Sequence, residues 1–222
     1  MKILPTGPAT TTSSMEPKTK HERNEMAIVS NVTLIDCQDV VNAGYTETGV
    51  YEIYPEGLPY GTPVWCEVDG NTGWTVFQRR MDGSQDFHLY WEDYKRGFGN
   101  INGEFWLGNE AVHLITTRIG RLYELHIDLQ REDNDLWYYV KYSDFKITNE
   151  DDNYRLLYNH FIEGTADDDL AYQNNMQFTT RDRDNDLYTY NCADFEFSVG
   201  LTPMKATLEA TMRAQFFTRS IG

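Results

Sequence analysis

The sequence predicts an α+β fold built on a mainly antiparallel sheet with short helices and long loops. Three observations point there. Segments of alternating apolar and polar residues recur at short intervals, separated by turns containing Gly, Pro, Asn and Asp. Strands and helices do not alternate in the βαβ rhythm that a parallel sheet requires. Rings are abundant, with 15 Tyr, 11 Phe and 5 Trp in 222 residues, so aromatic side chains rather than long aliphatic helices must supply the core.

Residues 1–35 form a polar lead rich in Thr, Ser and Lys, read as a disordered linker. Met1-Lys2-Ile3-Leu4 opens as a signal peptide does, but Pro5 and the Thr/Ser stretch leave no apolar segment of the required length, so no signal peptide is visible. Asn31-Val32-Thr33 fits the N-glycosylation pattern. Order is expected from Asp36-Cys37 onward. Residues 49–54 alternate as a strand and Pro55-Glu56-Gly57 is a turn; 62–68 and 73–80 are the second and third strands, separated by Asp69-Gly70-Asn71. Apolar residues at 87, 90, 91 and 94 follow helical spacing and predict a helix over 86–95, ended by Gly97. A short helix is expected at 111–117. The unbroken alternation from Arg121 to Leu129 predicts a strand, with further strands at 136–142 and 145–147.

Charge and cysteines narrow the function. With 19 Lys+Arg against 35 Asp+Glu, the net charge of −16 repels phosphate backbones and disfavours nucleic acid as a partner. No run of 18 apolar residues is present, so no membrane-spanning helix is expected. The three cysteines, Cys37, Cys66 and Cys192, form no CxxC pair, which disfavours zinc or thioredoxin-like chemistry. Cys37 and Cys66 could staple the first ribbon, closing a loop worth on the order of 3–4 kcal/mol. Cys192 would then be left unpaired. Three buried thiols are the alternative. Catalytic signatures such as GxSxG, HExxH or a P-loop are absent and the five histidines are scattered, so an enzyme is not expected.

A set of ordered blocks carries more. Asp36-Cys37 is followed by Gly49-Val50-Tyr51, Trp65-Cys66 and Gly73-Trp74-Thr75-Val76-Phe77-Gln78-Arg79-Arg80. Asp82-Gly83-Ser84, Tyr94-Lys95-Arg96-Gly97-Phe98-Gly99 and Gly103-Glu104-Phe105-Trp106-Leu107-Gly108-Asn109 come next, then Asp182-Arg183-Asp184-Asn185-Asp186 ahead of Asn191-Cys192-Ala193. This series resembles the fibrinogen C-terminal domain family over residues 36–193. The resemblance implies a small disulfide-stapled N-terminal lobe, a central antiparallel sheet and a loop-rich calcium-binding lobe.

Calcium prefers six to eight oxygen ligands on a flexible loop. An EF-hand is excluded, because counting from Asp182 the sixth residue is Leu187 and the twelfth Ala193. The family's loop takes carboxylates eight and six places before the cysteine and carbonyls four and two places before it. The resemblance therefore implies Ca²⁺ at Asp184, Asp186, Tyr188 and Tyr190. Asp133/Asp135 and Asp167-Asp168-Asp169 are expected to be solvated loops.

After Ala193 the blocks stop. Residues 194–222 are expected to be a divergent tail lacking the family's Trp-Trp, Cys-His and Asn-Leu-Asn-Gly stretches, which build its acetyl pocket; 206–217 retain room for a final strand or short helix. The resemblance implies a secreted, extracellular glycoprotein module that recognises a glycan or protein ligand. One version is a lectin-like protein of innate immunity, as in ficolins and tachylectins, with oligomers supplying avidity. The other is a matrix or receptor module as in tenascins and angiopoietins, and a truncated product without a pocket is the third reading.

Overall fold

The computed structural model describes residues 33–131, 135–194 and 212–221, all in a unit that begins at Thr33. Asn31 lies outside the described residues, as does Asp133. The chain enters through a helix that strand alternation does not reveal, α1 (Cys37–Asn42). Its signal is Asp36, whose carboxylate accepts the Asp39 N–H at 3.0 Å as an N-cap. Strands β1 (Gly49–Ile53), β2 (Thr62–Asp69) and β3 (Thr72–Arg80) follow as an antiparallel ribbon. Cys37 and Cys66 are joined, which ties α1 to β2. Val40, Tyr45, Ile53, Val64 and Tyr123 close around the bridge. Gly73 is required here, because a Cβ would collide with the Cys37 carbonyl.

Beneath α1 lies a buried ion network. Asp36 is 0% exposed, and its Oδ2 accepts from Arg121 Nη1 at 2.8 Å and from the Tyr123 hydroxyl at 2.9 Å. Asp39 accepts from Arg121 Nη1 and Nη2 at 3.0 and 2.7 Å and from the Ile35 N–H at 2.9 Å. Burial, with Asp36 alongside, pushes the Tyr123 phenol well above its ordinary range.

The helix expected over 86–95 shortens to α2 (Trp91–Arg96). Asp86 turns its carboxylate to the His88 N–H at 2.7 Å, and Asp93 accepts the Tyr90 N–H at 3.1 Å, which fixes Tyr90 as the cap outside the helix. Two short strands, β4 (Phe98–Gly99) and β5 (Phe105–Trp106), pair with each other and attach to β3. The helix α3 (Asn109–Thr116), the long strand β6 (Leu122–Arg131) and β7 (Trp137–Tyr142) fall where the sequence places them within two residues. Strands β8 (Lys146–Ile147) and β9 (Leu156–Leu157) form a separate ribbon, and β10 (Phe161–Gly164) pairs with β7.

The last described strand, β11 (Met212–Ile221), sits between β3 and β6. The main sheet therefore runs β1-β2-β3-β11-β6-β7-β10, antiparallel throughout. The expected domain end at 193 moves accordingly, because the chain returns at 212 to fill the middle of the sheet. Its strand signal is hidden in sequence by Phe216-Phe217. Phe216 packs into the cluster of Phe77, Tyr94 and Trp106 on one face, while Phe217 packs with Trp74, Val76 and Phe105 on the other. A strand covered on both faces loses its alternation.

The ring core is continuous: Tyr94 meets Trp106 edge-on at 5.4 Å, and Phe77 meets Trp106 and Phe145 at 5.8 Å. Glu104 enters this region as a carboxylate only 2% exposed. Its Oε1 accepts the N–H groups of Met81, Asp82 and Gly83 at 2.6, 2.8 and 2.8 Å, and its Oε2 that of Gln85 at 2.8 Å. Burial alone would raise this carboxyl, but the four backbone donors outweigh it and hold it below its ordinary value. A lowered folded-state value means that the stabilisation is full above the unfolded pKa, about 4.3, and is lost as pH falls through the folded one. Glu104→Gln is expected to cost about 2–3 kcal/mol at pH 7. Urea unfolding at several pH values should show the gap narrowing below about pH 4. Equal acid sensitivity in both chains would remove the charge from this account.

Candidate functional site

The acidic segment after residue 180 is fastened to the fold before it offers anything outward. Thr180 and Arg183 exchange two backbone hydrogen bonds, at 3.0 and 3.1 Å. Asp182 is committed to the scaffold: its Oδ1 accepts the Trp91 N–H and the Thr180 hydroxyl, both at 2.8 Å, which pins the segment to the start of α2. Asn185 donates through Nδ2 to the Phe178 carbonyl at 2.7 Å, and Asn191 through Nδ2 to the Thr180 carbonyl at 2.9 Å. The Arg183 guanidinium lies 4.0 Å over the Trp91 ring, and that of Arg181 lies 5.0 Å over Tyr90. Both cations are thus laid against rings.

Asp186 closes the outward loop on itself. Its Oδ1 accepts the Tyr188 N–H at 2.7 Å and its Oδ2 the Cys192 N–H at 2.8 Å, while Asp184 Oδ1 accepts the Asp186 N–H at 3.3 Å. Between these anchors Leu187 is 81% exposed, Tyr188 59% and Tyr190 76%. The structure therefore brings Asp184, Asp186, Tyr188 and Tyr190 onto one closed loop with three large side chains presented to solvent. Cys192 opens a 3-10 turn, Cys192–Asp194. With Cys37 and Cys66 joined to each other, the sequence holds no further cysteine with which Cys192 could form an intrachain bridge.

The donor set suits a hard cation. Each Asp186 oxygen accepts one N–H and keeps a second lone pair, and Asp184 is exposed. Among the described residues no three His, Cys, Asp or Glu side chains cluster for a metal, so an ion on this loop depends on backbone carbonyls beside the two carboxylates. That is calcium's chemistry rather than zinc's.

Other acidic and nucleophilic candidates have structural work. Asp168, exposed like its neighbours Asp167 and Asp169, also accepts the hydroxyl of buried Tyr142 at 2.9 Å. Ser143 Oγ lies 2.8 Å from His160 Nδ1, but the same hydroxyl accepts the His160 N–H at 3.3 Å, and the Ser143 N–H donates to the His160 carbonyl at 2.9 Å, so the pair ties two segments of the chain together. No helix among the described residues is long and apolar enough to cross a membrane. Sequence reasoning did not single out the cations Arg118 and Lys146; their signal is only that neither has a side-chain partner among the described residues.

Known proteins share this architecture. Residues 33–209 match the family described as the C-terminal globular domain of fibrinogen beta and gamma chains, so the match continues past Ala193. Over 165 residues the chain is 44% identical to human microfibril-associated glycoprotein 4, covering 72% of this chain and 64% of that protein. The chain thus spans somewhat less than two thirds of this relative's length. The fibrinogen-like globe domain of human ANGPTL6 superposes with a TM-score of 0.76 at 30% identity, over 85% of this chain and 96% of that one. Lamprey fibrin D-dimer, complexed with the peptide Gly-His-Arg-Pro-amide, gives 0.69 at 35% identity, over 86% and 62%. On its fold, its disulfide and these matches, the chain belongs to the fibrinogen C-terminal domain family.

Proposed function

We propose that this domain is an extracellular, calcium-binding interaction module that meets a matrix or receptor protein through the loop closed by Asp186. The carboxylates of Asp184 and Asp186 and the carbonyls of Tyr188 and Tyr190 would hold the ion. One observation carries the reading: the same carboxylate that would bind Ca²⁺ also fixes both ends of a loop bearing three exposed large side chains. Aromatic anchors of this kind dominate protein interfaces. Relatives named for microfibrils, and a neighbour complexed with a peptide, support a protein ligand.

Thermal and urea unfolding with and without Ca²⁺ test the ion. A hundredfold excess over the dissociation constant should add about 2.7 kcal/mol. Asp184→Ala/Asp186→Ala should abolish that difference, whatever it does to the calcium-free baseline, since Asp186 also holds the loop. No shift in the parent, or an equal shift in the variant, rejects calcium. A lectin of the innate-immune type is the second reading. Little retention on an N-acetyl-sugar column is expected, because the sequence lacks the Trp-Trp, Cys-His and Asn-Leu-Asn-Gly stretches of the acetyl pocket; strong, calcium-dependent retention would restore it.

A further inference from the structure

A cleft of about 520 Å³ opens between the C-terminal end of α3, the start of β6 and the β7–β8 turn, and shares no residue with the acidic loop. Its volume falls in the range of small-molecule sites. Two of its lining residues are Arg118 and Lys146. Every other arginine or lysine whose side chain is described engages a carboxylate, a ring or a carbonyl. Lys95, Arg96, Arg121, Lys141, Arg155 and Arg219 pair with acids. Arg79, Arg80, Arg181 and Arg183 lie over aromatic rings. In a chain with 35 acidic and 19 basic residues, the two cations left without a partner among the described residues line the same cleft.

The surroundings narrow the ligand further. Asp152, also on the lining, is occupied by Arg155 at 2.8 Å. Asp144 accepts from Asn159 Nδ2 at 3.1 Å through one oxygen, which leaves the other available as an acceptor. The Thr117 hydroxyl donates to the His113 carbonyl at 2.7 Å and keeps its lone pairs for the cleft. Cations beside acceptors match a molecule that carries an oxyanion and hydroxyl groups together. A purely acidic peptide would meet Asp144 as a like charge.

We infer that this cleft is a binding site for an acidic sugar, with Arg118 and Lys146 on its carboxylate or sulfate and Asp144 on its hydroxyls. The test titrates the full chain, by calorimetry and amide NMR, with sodium glucuronate, galactose 6-sulfate, uncharged glucose and glutamyl-glutamate. Saturable binding of either anionic sugar is expected, with amide shifts at Thr117, Arg118 and Lys146, and the stronger of the two identifies the oxyanion. Arg118→Gln and Lys146→Gln should each weaken it about tenfold, while Arg118→Lys and Lys146→Arg retain most of it. Chelator, or Asp184→Ala/Asp186→Ala, should leave it unchanged, which separates it from the calcium loop. The inference is overturned if neither anionic sugar binds, if glucose or glutamyl-glutamate binds as well, or if both Gln variants keep the parent affinity.

Discussion

Arg121→Met is expected to lower the unfolding free energy by about 3–5 kcal/mol, read from urea titration at pH 7. The side chain bridges two carboxylates from 82 and 85 residues earlier, Asp39 and Asp36. Asp36 has no contact with solvent, and without the guanidinium its charge would keep only the Tyr123 hydroxyl and the Asp39 N–H. The expense lies less in the lost attraction than in the buried charges left behind. Two carboxylates would also face each other with nothing between them. Adding Asp36→Asn and Asp39→Asn to Arg121→Met should therefore recover part of the loss. A single variant within about 1 kcal/mol of the parent would mean that water reaches these carboxylates and that the network is a surface feature.

Cys37→Ala/Cys66→Ala is expected to cost about 3–4 kcal/mol, with loss of protection against proteolysis in residues 33–48. The bridge closes a sequence separation of 29 and fastens α1, only six residues long, to β2. Helices that short are not stable on their own. What holds this one is the disulfide at its first residue and the Asp36–Asp39–Arg121 network at the same end. Since both devices anchor one element, the combined variant should lose less than the two single losses added together. Strict additivity would show that α1 stays docked when either is removed.

Much of the sheet is legible in the sequence because β1, β2, β6 and β7 each bury one face more deeply than the other, whereas β3, buried along nearly its whole length, is marked by its turn-bounded run of β-branched and aromatic residues. The alternation from Leu122 to Leu129 needs no partner to be recognised. The acidic loop is legible too, since its spacing to Cys192 is local. Three features are not. The helix α1 is too short to show a period, although Asp36 with Asp39 three residues on marks its start. Glu104 resembles any surface glutamate until Met81, Asp82, Gly83 and Gln85 turn their N–H groups on it. Arg121 can be assigned only when residues more than 80 positions apart are brought together. Sequence periodicity reports burial along an element, whereas these roles depend on contacts between distant ones.

The placement of β11 has a consequence for synthesis. Among the described residues, ribbons β1–β3 and β6–β7–β10 share no backbone ladder until residues 212–221 slide between them. On the ribosome each half waits with an open edge, β3 on one side and β6 on the other, as a template for a neighbouring nascent chain. Closure must then span more than 80 residues on the β6 side and more than 130 on the β3 side, so maturation is slow and arrives in one late step.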